Sequence, residues 1–126
     1  MYPSVEQVER LHERVLDVTG GERGDLSRSN LEYVLDAVKE MGEELDVRNA
    51  LTKEAAFLLY NLISQHPFVN GNKRTAFELV KLFLRLNGYE IKAKSREIYS
   101  ILADIAAGKV SLNRAEEWIA TNLAKI

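Results

Sequence analysis

Apolar residues recur at helical spacing along almost the whole chain. Val5, Val8, Leu11, Val15 and Val18 form the first run. Ser4 with Gln7 three residues on predicts a capping box at its start, and Gly20-Gly21 stops it. A polar, glycine-bearing loop follows from Gly20 to Arg28. Ser29 with Glu32 predicts a second capping box, with Leu31, Val34, Leu35, Val38 and Met41 as its stripe and Gly42 as its close. The charged stretch Glu43 to Asn49 predicts a connection. A third helix carries Leu51, Ala55, Leu58, Leu59, Leu62 and Ile63. It ends by His66, because Pro67 disfavours helical backbone in the residue before it. The loop from His66 to Gly71 leads into a fourth helix, from about Asn72 to Asn87. Ala76, Phe77, Leu79, Val80, Leu82, Phe83, Leu84 and Leu86 surround that cylinder, which predicts a helix buried on most sides at the centre of the fold. Gly88 suits the position just past its end.

The remainder is shorter. Tyr89 to Ala93 alternates and predicts one extended piece. Ser95 is the expected cap of a fifth helix with Ile98, Ile101, Leu102 and Ile105, ended by Gly108. Ser111 is the expected cap of a last helix with Leu112, Ala115, Trp118, Ile119 and Leu123. No repeat, low-complexity tract or linker interrupts the series. The fold expected is all-α, a single compact bundle of about six helices forming one domain over residues 1–126.

Composition narrows the function classes. Hydrophobic residues make up 46% and charged residues 29% of the 126, an ordinary globular balance. The absence of cysteine excludes disulfides, a cysteine zinc site and a thiol nucleophile, and two histidines exclude a multi-histidine metal centre. With 17 Lys plus Arg against 19 Asp plus Glu, the net charge is −2, without the basic excess of a generic nucleic-acid binder. No apolar run approaches the roughly 20 residues needed to span a bilayer. The start, Met1-Tyr2-Pro3-Ser4-Val5-Glu6, lacks the pattern of a secretory signal. The expectation is a cytoplasmic domain with no membrane partner and no direct nucleic-acid binding.

One stretch carries chemistry: His66-Pro67-Phe68-Val69-Asn70-Gly71-Asn72-Lys73-Arg74-Thr75. Gly71 lets backbone approach a ligand closely. Asn72 is a good N-cap, so the first N–H groups of the next helix point out unpaired, and such a helix end attracts anions. Lys73 and Arg74 place two cations where the helix dipole is already positive, a local cost that a bound phosphate would explain. His66 can accept a proton near neutral pH. A base beside a phosphate site suggests phosphoryl or nucleotidyl transfer to a hydroxyl. The stretch is not a P-loop: the spacing Gly-x-x-x-x-Gly-Lys-(Ser/Thr) is absent and no strand precedes it. Each residue also has a plain structural reading: His66 as a loop residue, Asn72 as a cap alone, Lys73 and Arg74 as a solvated pair. His12 reads as structure and Trp118 as a core anchor.

The string resembles the signature of the Fic/Doc family, His-Pro-Phe-x-(Asp/Glu)-Gly-Asn-(Gly/Lys)-Arg, at eight of its nine positions. It is most similar to the Doc toxin branch. Leu11-His12, the Gly20-Gly21 loop and Phe83-Leu84-Arg85-Leu86-Asn87-Gly88 extend the resemblance over the chain, and the short length also fits that branch. The resemblance implies that His66 is the general base. It implies that Asn72 and Arg74 hold nucleotide phosphates, and that Gly71 to Lys73 form an anion nest. Lys73 stands where typical Fic enzymes carry a second glycine, as in Doc. The implied activity is transfer of the terminal phosphate of ATP to a threonine of elongation factor Tu, which arrests translation. The alternative is transfer of AMP to a protein hydroxyl. A Phd-like antitoxin is the implied partner, since no inhibitory (Ser/Thr)-x-x-x-Glu-(Gly/Asn) string occurs within the chain. The departure is Asn70, which stands where the family has its acidic Mg2+ ligand. The Asn70 amide oxygen can still coordinate Mg2+ and is the candidate metal ligand, but it brings no negative charge, so magnesium affinity falls and the chain is then a weakened enzyme or a silent binding module.

Overall fold

A computed structural model describes residues 2–41 and 46–126. Gly42, expected to close the second helix, and the first half of the Glu43–Asn49 connection lie outside the described residues. Among the described residues the chain forms six helices and two short strands, in the order α1 (Val5–Thr19), α2 (Arg28–Lys39), α3 (Val47–Gln65), α4 (Asn72–Leu86), β1 (Tyr89–Ile91), α5 (Ser95–Ala106), α6 (Leu112–Asn122) and β2 (Leu123–Lys125). The bundle of about six helices is as expected.

The capping box at α1 is present: Ser4 Oγ accepts from the Gln7 N–H, and the Gln7 side chain accepts from the Ser4 N–H. The buried face of α1 is Val8, His12, Val15 and Leu16, whereas Val18 is 81% exposed. The face is therefore rotated from the expected stripe, toward His12. At α2 the cap is Ser27, whose Oγ accepts from the Asn30 N–H, rather than Ser29. Ser27 is held in extended backbone by its own N–H bond to the Pro67 carbonyl, so the helix starts earlier than expected. Ser95 is likewise the first helical residue of α5 and Lys94 occupies the cap, without a side-chain bond. Ser111 caps α6 as expected, accepting from the Arg114 N–H.

The centre of the bundle is α3, not α4. It packs against α2, α4, α5 and α6. Ala55 and Ala56 are fully buried on it, and small side chains let neighbours approach its backbone. The apolar cylinder of α4 packs against α1, α3, α5 and β1, but Leu82 and Leu86 remain 46% and 58% exposed. Six of its eight apolar residues are buried, as expected of a helix buried on most sides, and these two lie on its open side.

The extended piece at Tyr89 finds a partner that periodicity did not reveal. The helix expected to include Leu123 ends at Asn122, and residues Leu123–Lys125 pair antiparallel with β1, Ile91 opposite Leu123 and Tyr89 opposite Lys125. Arg48 of α3 donates to the carbonyls of Ala120 and Leu123, closing the carbonyl end of α6. Trp118 is 8% exposed and anchors α6 in the core.

A central α3 has a measurable consequence. Ala56→Leu should overpack it and lower stability by about 1–3 kcal/mol. Leu86→Ala, at an exposed position of α4, should change stability by less than about 1 kcal/mol. Urea unfolding of the two variants checks the assignment, and the reverse order would put α4 at the centre.

Candidate active site

The signature loop joins α3 and α4, which pack extensively against each other. It begins where α3 is forced to stop. Pro67 excludes helical backbone at His66, which turns left-handed at φ 50, ψ 57. His66 is the one non-glycine with positive φ among the described residues. Left-handed backbone costs an L-residue roughly 1–2 kcal/mol. His66 is exposed, and no hydrogen bond joins it to another predicted site residue among the described residues.

The loop then dives inward. Pro67 and Phe68 are buried, and their backbone groups all find partners. The Pro67 carbonyl accepts from the N–H groups of Leu26 and Ser27, at 2.8 and 3.1 Å. The Val69 N–H donates to the Gly24 carbonyl at 3.1 Å, so the α1–α2 loop runs alongside the signature as a one-bridge antiparallel pair, Asp25 opposite Phe68. Asp25 also reaches Glu9 of α1. Partial burial and then this neighbouring carboxylate raise the Glu9 carboxyl above its ordinary value, with Arg28 opposing them.

Asn72 was expected to be the cap of α4. It is instead the first helical residue, and Gly71 holds the cap position with left-handed backbone at φ 79, ψ 17. The Asn72 side chain is turned inward, 6% exposed, and closes on Phe68 with two bonds. Its Oδ1 accepts from the Phe68 N–H at 3.0 Å and its Nδ2 donates to the Phe68 carbonyl at 2.8 Å. What Asn72 leaves open is its backbone N–H. The first backbone bond of α4 runs from the Thr75 N–H to the Gly71 carbonyl, and no side chain caps the helix. The N–H groups of Asn72, Lys73 and Arg74 therefore have no acceptor among the described residues. A helix start in that condition binds anions through its N–H groups and its dipole.

Lys73 and Arg74 are exposed at the same end. Arg74 Nε lies 3.2 Å from Glu78 Oε1, and Glu78 is shared with Lys81 at 3.1 Å. Exposed pairs of this kind contribute about 0–1 kcal/mol, so Arg74 can exchange Glu78 for a phosphate at little cost. Lys73 has no ion-pair partner among the described residues. The structure thus brings Gly71, Asn72, Lys73 and Arg74 together at the start of α4 and sets His66 at the other end of the same loop.

Asn70 faces a different way from a metal ligand. Its Oδ1 accepts from the Glu22 N–H at 2.7 Å, its Nδ2 donates to the Val69 carbonyl, and its own carbonyl meets His12 Nε2 at 2.7 Å. No group of three or more His, Asp or Glu side chains converges among the described residues. A neutral amide already bonded to backbone, outside any such cluster, does not make a magnesium-holding set.

Sequence reasoning missed two residues of α1. His12 stands one turn after Val8 and one before Leu16, a buried phase that the apolar stripe concealed. Arg14 shares with Arg74 a hollow of about 180 Å³ between α1 and α4.

Two left-handed residues bracket the loop and should respond oppositely to substitution. Gly71→Ala places a Cβ 3.3 Å from Leu16 Cδ2 and should cost about 1–2 kcal/mol. His66→Gly should leave stability unchanged or raise it by up to about 1 kcal/mol, since relief of the backbone offsets the extra freedom of glycine when unfolded. Urea titrations measure both, and a loss at His66→Gly would mean that the imidazole holds the loop.

A family model described as Fic/DOC family matches residues 2–84. The protein adenylyltransferase fic-1 of Caenorhabditis elegans is 36% identical over 62 residues, which are 46% of this chain and 12% of that protein. The chain therefore spans only a small part of that relative's length. The family match takes in α1 to α4 and with them the whole signature loop, so the chain belongs to the Fic/DOC family.

Proposed function

We propose that this protein is an ATP-dependent transferase that modifies a hydroxyl of a protein target. The observation that carries this reading is the start of α4: three backbone N–H groups without acceptors among the described residues, flanked by Lys73 and Arg74, on a loop whose Pro67, Phe68 and Val69 backbone groups are bonded within the fold. Nucleotide phosphates are the ligand that such a site suits. In the transfer, the neutral His66 imidazole takes the proton of the target hydroxyl. The oxygen bonds to phosphorus as the bond to the leaving phosphate oxygen breaks. The N–H groups of Asn72 to Arg74 and the two side-chain cations meet the negative charge on the phosphate oxygens.

The finer reading follows the Doc resemblance: the γ-phosphate passes to a threonine of elongation factor Tu, and ADP leaves. Lys73 supports it, because it adds a charge and a side chain to the nest where Fic enzymes have glycine. The second reading is AMP transfer with pyrophosphate leaving, and the name of the adenylyltransferase relative favours it. The mass added to the modified protein separates the two. A Phd-like antitoxin is the proposed partner. The α1–α4 face offers a groove of about 240 Å³ with Leu82, Leu86, Arg10 and Arg14 in its walls, and the smaller hollow beside it reaches Arg74. A helix laid there would come to the phosphate end of α4.

Induced expression in a bacterial host tests the reading. The unmodified chain should arrest growth, and His66→Ala should abolish the arrest by slowing transfer about 10²–10⁴-fold. Asn70→Asp should strengthen it, because a carboxylate can keep the Glu22 N–H bond and adds the missing charge. Arrest by none of these forms, with no mass added to any host protein, would sink the transferase reading. Arrest by Asn70→Asp alone would mean a site silenced at that position.

A further inference from the structure

One buried side chain touches the signature loop and has no part in the transfer. His12 is 2% exposed on α1. Its ring lies parallel to that of Phe68, with centroids 3.8 Å apart and planes 8° from coincidence. Its Nε2 is 2.7 Å from the Asn70 carbonyl oxygen, and a carbonyl only accepts, so Nε2 carries the hydrogen. Its Cδ2 and Nε2 also stand 3.6 Å from the place where a Cβ on Gly71 would lie. One imidazole thus contacts Phe68 and Asn70 and borders the space beside Gly71.

The bond to Asn70 has a directional consequence. The Asn70 carbonyl and the Gly71 N–H belong to one planar trans peptide, in which they point opposite ways. Holding the oxygen toward α1 therefore aims the Gly71 N–H away from α1. That N–H has no acceptor among the described residues. Nor does the carbonyl have another donor among the described residues to hold it. A phenylalanine at position 12 could stack on Phe68 but not donate; a glutamine could donate but not stack. Imidazole does both in the volume of one buried side chain.

We propose that His12 is a positioning residue for the phosphate site: by fixing the Asn70–Gly71 peptide it presents the Gly71 N–H as a further donor beside those of Asn72, Lys73 and Arg74. This rests on the reading of the α4 start as a nucleotide-phosphate site. It assigns α1 a role in ligand binding rather than in packing alone.

The test is an ATP titration followed by backbone amide NMR, on the intact chain and on His12→Phe, His12→Gln and His12→Leu, at a temperature where each is folded. In the unmodified chain the amides of Gly71 to Arg74 should shift on adding ATP. His12→Phe and His12→Leu should move the Gly71 amide before any ATP is added and weaken ATP binding about tenfold, the scale of one lost hydrogen bond. His12→Gln, which keeps a donor, should bind within about threefold of the unmodified chain even though its melting temperature falls. That split between affinity and stability is what a merely structural role would not produce. A wild-type response that His12→Phe and His12→Leu leave unchanged overturns this proposal alone. No response of the unmodified chain to ATP overturns the phosphate reading and this one with it. If His12→Phe fails to fold, the comparison of His12→Gln with His12→Leu decides: equal affinities reject the positioning role.

Discussion

The site depends on the inward commitment of the loop between α3 and α4. A buried loop must find a partner for each of its polar backbone groups or lose free energy for each one left unmade. Here Asn72 supplies both an acceptor and a donor to Phe68, the Gly24–Ser27 segment takes Pro67 and Val69, and α1 takes the Asn70 carbonyl. Among the described residues, the N–H groups at the start of α4 and those of Asn70 and Gly71 just before it remain without acceptors. The open donors thus gather at the end of the loop whose buried part, Pro67 and Phe68, is fully bonded.

The same accounting explains the cost of Lys73 and Arg74. Four other helices of the bundle, α1, α2, α3 and α6, have a side chain bonded to a first-turn N–H, whereas α5 does not. At α4 the residue that could have capped is turned to the loop, and two cations stand at the positive end of the dipole. Glu78, one turn along, offsets part of this through Arg74 and Lys81. The local cost leaves a helix start that carries positive charge and open N–H donors together.

Much of this was legible along the chain, and the failures share one physical cause. The α1 capping box, the stop before Pro67 and the Ser111 cap depend on neighbours within a few residues, and all are present. Asn72, Ser27 and His12 depend on residues far away. Asn72 has the chemistry of a cap, but Phe68 claims its side chain. Ser27 rather than Ser29 starts α2 because Pro67 holds its N–H. His12 looks like a polar break in an apolar stripe until Phe68 and Asn70 are placed beside it. The strand at Leu123 needs β1, more than a whole helix earlier, before it can be strand at all. The centre of the bundle was misplaced for a related reason: hydrophobicity counts apolar side chains, whereas the small residues Ala55 and Ala56 mark where helices converge.

The reach of those contacts sets when the site comes into being. His12 and Asn70 are 58 positions apart, and Glu22 and Asn70 are 48 apart. During synthesis α1 is made long before the loop it must grip, and closing such a span costs entropy before the contact returns anything. The Asn72–Phe68 closure can form within its own stretch of chain, but the peptide that Asn70 shares with Gly71 waits for α1. A partly made chain therefore carries the signature without its geometry. The geometry of the loop arrives with the packing of α1 against it, not with the signature itself.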